Sequence, residues 1–93
     1  VTLDLSLSNE GLWAGLPVER LAGKLTLVLP PAEALVVLGP RLEALAIDPA
    51  EVVLTGAAPI WVYLAAFHAL HGRTRRIAFQ DGRGERVLVA AHG

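Results

Sequence analysis

Residues 51–80 read EVVLTGAAPIWVYLAAFHALHGRTRRIAFQ, and the parsing of this stretch decides the fold. Glu51 to Thr55 is a compact, β-branched apolar run of strand length, and Gly56-Ala57-Ala58-Pro59 turns the chain out of it. From Pro59 the chain stays apolar and helix-compatible as far as Gly72. Proline is pre-set for a first helical turn, and glycine is the usual residue just past a helix end. Ile77 to Phe79 is the next strand. A strand, a long helix and a second strand make a crossover unit, which implies parallel pairing of the two strands.

Downstream of that unit, Asp81-Gly82-Arg83-Gly84 reads as a tight hairpin turn and Arg86 to Ala90 as the last strand. Upstream, Pro40 to Ala46 reads as a short helix with Pro40 at its first position, stopped by Asp48-Pro49. Lys24 to Leu29 and Ala34 to Leu38 flank Pro30-Pro31-Ala32-Glu33, and their apolar, β-branched character predicts a hairpin. The rival parsing starts a helix at Ala32, with Pro31 at its first position. Val1 to Ser8 alternates Thr2, Asp4, Ser6 and Ser8 with Val1, Leu3, Leu5 and Leu7, the period of a half-buried strand. Asn9 to Gly23 is a structured excursion with slight helical potential at Val18 to Leu21. The expectation is one domain over residues 1–93, an N-terminal strand and excursion (1–23) followed by a core (24–93). Its fold class is α/β, a small Rossmann-like sandwich with a mixed sheet and a central βαβ unit.

Composition narrows the function. The chain has 93 residues of which 54% are apolar, too much apolar surface for disorder and more than so small a domain hides easily, so a homo-oligomer is expected. With no cysteine, disulfides, thiolate catalysis and Cys-type zinc sites are excluded. A net charge of −1 argues against a non-specific nucleic-acid coat, although Arg73, Arg75 and Arg76 form a local basic patch. Prolines, glycines and Asp48 interrupt every long apolar run, so no membrane span is expected. No basic flank precedes an apolar core at the N-terminus, and a cytoplasmic setting is the expectation.

In open α/β sheets ligands sit beyond the carboxyl ends of the parallel strands. That rule points to Thr55, Gly56, Ala57 and Ala58, where backbone N–H groups and the helix dipole favour phosphate and small residues let it approach. A plain strand-to-helix turn is the alternative. Pro59 and Trp61 follow directly, and Trp61 and Tyr63 could stack on a base or simply belong to the core. His71 ends the helix, Asp81 ends the next strand and His92 follows the last one. Each of these also has a structural alternative: a helix cap, a turn-shaping aspartate and a chain-end residue. A hairpin carries the chain back, so Asp81 and His92 do not automatically meet His71 within one subunit. No Walker loop, dinucleotide fingerprint or nucleophile elbow is present.

Val52 to His92 resembles a small CRISPR-associated family found with type III interference systems. The resemblance is carried by Val52-Val53-Leu54-Thr55-Gly56 running into Gly56-Ala57-Ala58-Pro59-Ile60-Trp61, and by His71, Asp81 and His92 in the same order and nearly the same spacing. It implies the Rossmann-like fold of CRISPR oligoadenylate sensors and a homodimer. It further implies binding and cleavage of short RNA, including cyclic tetra-adenylate, with Mn²⁺ support, in a site assembled between stacked dimers, as tetramers or filaments. On that resemblance His71 is an acid/base or metal ligand, Asp81 a metal ligand and His92 the second acid/base. Thr55, Gly56, Ala57, Ala58, Pro59 and Trp61 are then the ligand-binding set.

Overall fold

The computed structural model describes residues 1–45 and 49–91. In chain order the elements are β1 (Thr2–Asp4), α1 (Glu10–Trp13), β2 (Val18–Leu21), β3 (Lys24–Leu27), α2 (Pro31–Glu43), β4 (Glu51–Thr55), α3 (Ile60–Leu70), β5 (Arg76–Gln80) and β6 (Arg86–Ala91). Four strands form a mixed sheet in the order β1-β4-β5-β6, parallel except for the β5–β6 pair, while β2 and β3 form a separate antiparallel ribbon. The expected βαβ unit is β4-α3-β5, with Val52 opposite Ile77 and Leu54 opposite Phe79. The fold is a small α/β sandwich.

Alternation along the strands explains where the core sits. Val52, Leu54 and Ile77 join Leu38 and Leu42 of α2 and Val62, Ala66 and Leu70 of α3 in one buried cluster, so both helices cover one face of the sheet. Val53 and Ala78, one step along the strands, are buried on the other face. β1 is shorter than its eight-residue pattern predicts. The Asp4 carboxylate accepts the Ser6 N–H at 2.9 Å and the Asn9 amide donates to the Asp4 carbonyl at 2.7 Å, which bends the chain out of the sheet.

Two expectations upstream of β4 are corrected. The hairpin is not 24–29 with 34–38. It is β2 with β3, closed by Ala22-Gly23, and β2 occupies the segment expected to have helical potential. Residues 31–43 form a single helix with Pro31 at its start, and Pro40 lies inside it rather than beginning a second helix. Ala46, where that second helix was expected to end, lies outside the described residues. The physical reason is a stripe of Ala34, Leu38 and Leu42 at spacing four, each at most 1% exposed. Leu38 and Leu42 straddle Pro40. Burying two leucines contributes roughly 3–6 kcal/mol, enough to offset the cost of about 3 kcal/mol for an interior proline. The β-branched Val36 and Val37, which suggested a strand, are exposed.

Candidate functional site at the carboxyl-end rim

β1, β4 and β5 run the same way, so their carboxyl ends share one rim. Asp4 pairs with Thr55 across that rim. The Thr55 hydroxyl donates to the Gln80 carbonyl at 3.0 Å, which fixes the residue before Asp81 against β4. Thr55 therefore ties the strand ends together, and Asp81 stands one strand away from the Gly56 turn.

Gly56 is the crossing point. Its φ of +107° lies where side chains are strained, and a Cβ there would fall 2.6 Å from the Ser6 nitrogen and closer still to Asp4 Oδ1. The segments leaving β1 and β4 thus touch backbone to backbone, and the Leu7 N–H reaches the Ala57 carbonyl at 3.4 Å. The Tyr63 hydroxyl, one turn into α3, donates to the Gly56 carbonyl. Burial, with a smaller contribution from the Asp4 charge, pushes the Tyr63 phenol above its ordinary value of 10.0. Among the described residues, the N–H groups of Ala57 and Ala58 have no hydrogen-bond acceptor.

A cavity of about 720 Å³ opens over this turn. Ala57, Ala58, Pro59 and Trp61 line one side of it. Ser6 and Ser8 come from the segment after β1, and Lys24 and Thr26 from β3. Sequence reading missed these four polar residues. The serines were parsed as strand residues and β3 was paired with the wrong segment, so nothing in the pattern put them beside Gly56. Trp61 lines the cavity and also packs, its ring meeting Trp13 edge-on at 6.4 Å. Tyr63 belongs to the packing instead, edge-on to Phe79 at 5.4 Å.

His71 lies at the opposite rim. It caps α3, its N–H bonded to the Phe67 carbonyl at 2.8 Å and its ring stacked on Phe67 at 5.4 Å. Between His71 and Asp81 runs the whole of β5, a rise of roughly 17 Å at strand geometry. Ala91, the last described residue of β6, pairs with Arg76 at the His71 end, and His92 lies outside the described residues. At Asp81, Oδ1 accepts the N–H groups of Arg83 at 2.8 Å and Glu85 at 3.0 Å, and Oδ2 approaches the Arg83 guanidinium at 3.9 Å. Its turn-shaping role is therefore real, and Oδ2 keeps coordination capacity. Among the described residues, no three His, Asp or Glu side chains gather in a way that could hold a metal ion. The described residues of a single chain therefore assemble no donor set for Mn²⁺.

The arginine patch is largely structural. Arg73 donates to the Leu45 carbonyl at 2.8 Å and the Leu42 carbonyl at 3.5 Å, satisfying the end of α2, and Arg76 pairs with Glu51 at 3.6 Å. Among the described residues, no helix is long and apolar enough to cross a membrane.

Fold and rim together define a small α/β domain with a ligand-sized hollow at the carboxyl ends of its parallel strands. Residues 37–93 match the model of the CRISPR-associated protein (Cas_csx3) family. That span is more than half of the chain, and the protein belongs to this family. No curated protein and no solved structure matches it.

Proposed function

We propose that the protein is a CRISPR-associated ring nuclease that degrades cyclic tetra-adenylate or short RNA 3′ ends and thereby lowers type III signalling. The observation that carries this reading is the Gly56 turn: two acceptorless N–H groups beneath a cavity, on the same rim as Asp81, in a chain of this family. Phosphate suits those donors and the start of α3. A ribose held there in line can attack through its 2′-oxygen on the adjacent phosphorus. The 2′-proton goes to a base, the 5′-oxygen leaves with a proton from an acid, and a 2′,3′-cyclic phosphate results. Histidine supplies both proton transfers near neutral pH.

Because His71 and Asp81 sit at opposite rims, a site using both takes them from different copies. The carboxyl-end rim of one copy then faces the other rim of the next. Such a head-to-tail contact continues into a filament unless the rotation closes. The homodimer in this reading has a surface suited to it: α3 carries no Asp, Glu, Lys or Arg, its Ile60 and Leu64 are 79% and 67% exposed, and Leu64 shares a groove with Leu35 of α2. Mn²⁺ enters as a variable of the assay, and no step is assigned to it.

A second reading, a sponge or sensor that binds the messenger without cutting it, is favoured by the commitment of Asp81 Oδ1 to its own turn. Labelled cyclic tetra-adenylate is incubated with the protein, with and without Mn²⁺, beside His71→Ala and Asp81→Ala. Cleavage that both variants lose is the expected result. Binding without turnover would establish the sponge, and neither binding nor cleavage would sink both readings.

A further inference from the structure

The family match begins at Val37, inside α2, yet most of the cavity wall comes from before it. Ser6, Ser8, Lys24 and Thr26 all belong to residues 1–36, and they meet the Gly56 turn only through the fold. Lys24 is the only lysine of the chain. Its cross-strand neighbour in the ribbon is Leu21, and the ion pairs of the described residues are Arg76 with Glu51 and Arg83 with Asp81. The ammonium of Lys24 therefore has no carboxylate partner among them. No aspartate or glutamate among the described residues lines the cavity.

Two further features give the hollow a positive character. Both helices that cover the sheet begin at it: Pro31, the first residue of α2, and Pro59 and Trp61, at the start of α3, line its wall. Each helix start carries a partial positive charge. Ser6 Oγ lies 2.9 Å from Ser8 Oγ, and a hydroxyl pair of this kind has donor and acceptor capacity left for a ligand. Around these polar groups stand Leu25, Leu27 and Trp61, a largely apolar wall able to take a flat ring. Among the described residues, a lysine without a carboxylate partner, a serine pair, acceptorless N–H groups and no acid in the lining itself make a receptor for an anion with an apolar part, while the nearby Asp4 carboxylate is engaged by the Ser6 N–H.

We infer that Lys24, assisted by Ser6 and Ser8, binds a phosphate of a nucleotide ligand, so that the segment outside the family match sets the affinity of this pocket. The inference rests on the ligand-binding half of the reading above and goes beyond it by assigning the pocket's cation. Lysine serves here as a point charge on a flexible stem, suited to a phosphate whose position differs between ligands.

The test measures binding of cyclic tetra-adenylate and of AMP by titration calorimetry at several salt concentrations. It uses the full chain, Lys24→Gln, and Arg86→Gln as a charge control on β6, with circular dichroism to verify folding. Lys24 is exposed, so its substitution leaves the core intact. The expected result is about tenfold weaker binding or more for Lys24→Gln at low salt. Its salt dependence should also be shallower by about one phosphate contact, with Arg86→Gln unchanged. Wild-type binding by Lys24→Gln would overturn the inference and leave the nuclease reading standing. Loss of AMP binding in Lys24→Gln, in a protein that never cleaves cyclic tetra-adenylate, would support the inference and remove the nuclease. Binding of neither probe by the wild-type chain would overturn both.

Discussion

The two rims of the sheet are made of similar material and put it to opposite use. At the His71 end, polar groups are spent on the fold: Arg73 on the end of α2, Arg76 on Glu51, and the His71 backbone on Phe67. At the Gly56 end, polar groups accumulate without partners among the described residues: the Ala57 and Ala58 N–H groups, the Lys24 ammonium, and serine hydroxyls satisfied only by each other. Both rims end or begin α3 beside a glycine of positive φ, so local geometry does not separate them. What separates them is the neighbour. Gly56 faces the segment leaving β1, whereas Gly72 faces open space.

That difference is best broken at the glycines. Gly56→Ala combines a φ of +107° with a backbone collision, and should destabilise the protein by about 3 kcal/mol or more. Gly72→Ala, at φ +91° with nothing within 4 Å, should cost only about 1 kcal/mol. Urea unfolding of both variants decides. Equal losses would mean that the β1–β4 crossing is not what distinguishes the rims.

Tyr63 sharpens the comparison from inside α3. Tyr63→Phe removes the hydrogen bond to the Gly56 carbonyl and should cost about 1 kcal/mol near neutral pH. The folded phenol ionises above the ordinary value of 10.0, so its contribution is fully present below that pH and is lost as pH rises through the raised value. Stability of the wild-type protein should therefore fall on the alkaline side, and Tyr63→Phe should lack that fall. An identical alkaline profile in the variant would show that Tyr63 does not couple the turn to α3.

The smallest expected effect is at Asp81. An asparagine keeps the Oδ1 that accepts the Arg83 and Glu85 N–H groups, so Asp81→Asn should change stability by less than about 0.5 kcal/mol. In the nuclease reading the same variant should lose cleavage. A large stability loss would mean that the carboxylate's charge serves the turn itself.

The turn at residues 56–59 could be placed without a structure because its neighbours are punctuated so plainly: a β-branched strand before it, a proline within it, and a mostly apolar helix after it up to Gly72. Polar residues of the cavity could not. Ser6, Ser8, Lys24 and Thr26 carry no motif, and β3 was hidden because Val36 and Val37 look strand-like while they occupy the exposed side of α2. Pro40 misled for a related reason, since its local penalty is overruled by burial of Leu38 and Leu42 on either side of it.

From the sequence by itself came the β4-α3-β5 crossover, the hairpin at Asp81 and the turn at residues 56–59, all fixed by local periodicity and by the conformational limits of proline and glycine. Tertiary structure alone decided three things: that 31–43 is one helix, that β1 runs beside β4 and delivers the serines and the ribbon to Gly56, and that His71 and Asp81 stand at opposite ends of β5. These depend on which distant apolar stripes bury one another, and a chain read one window at a time carries no record of that choice.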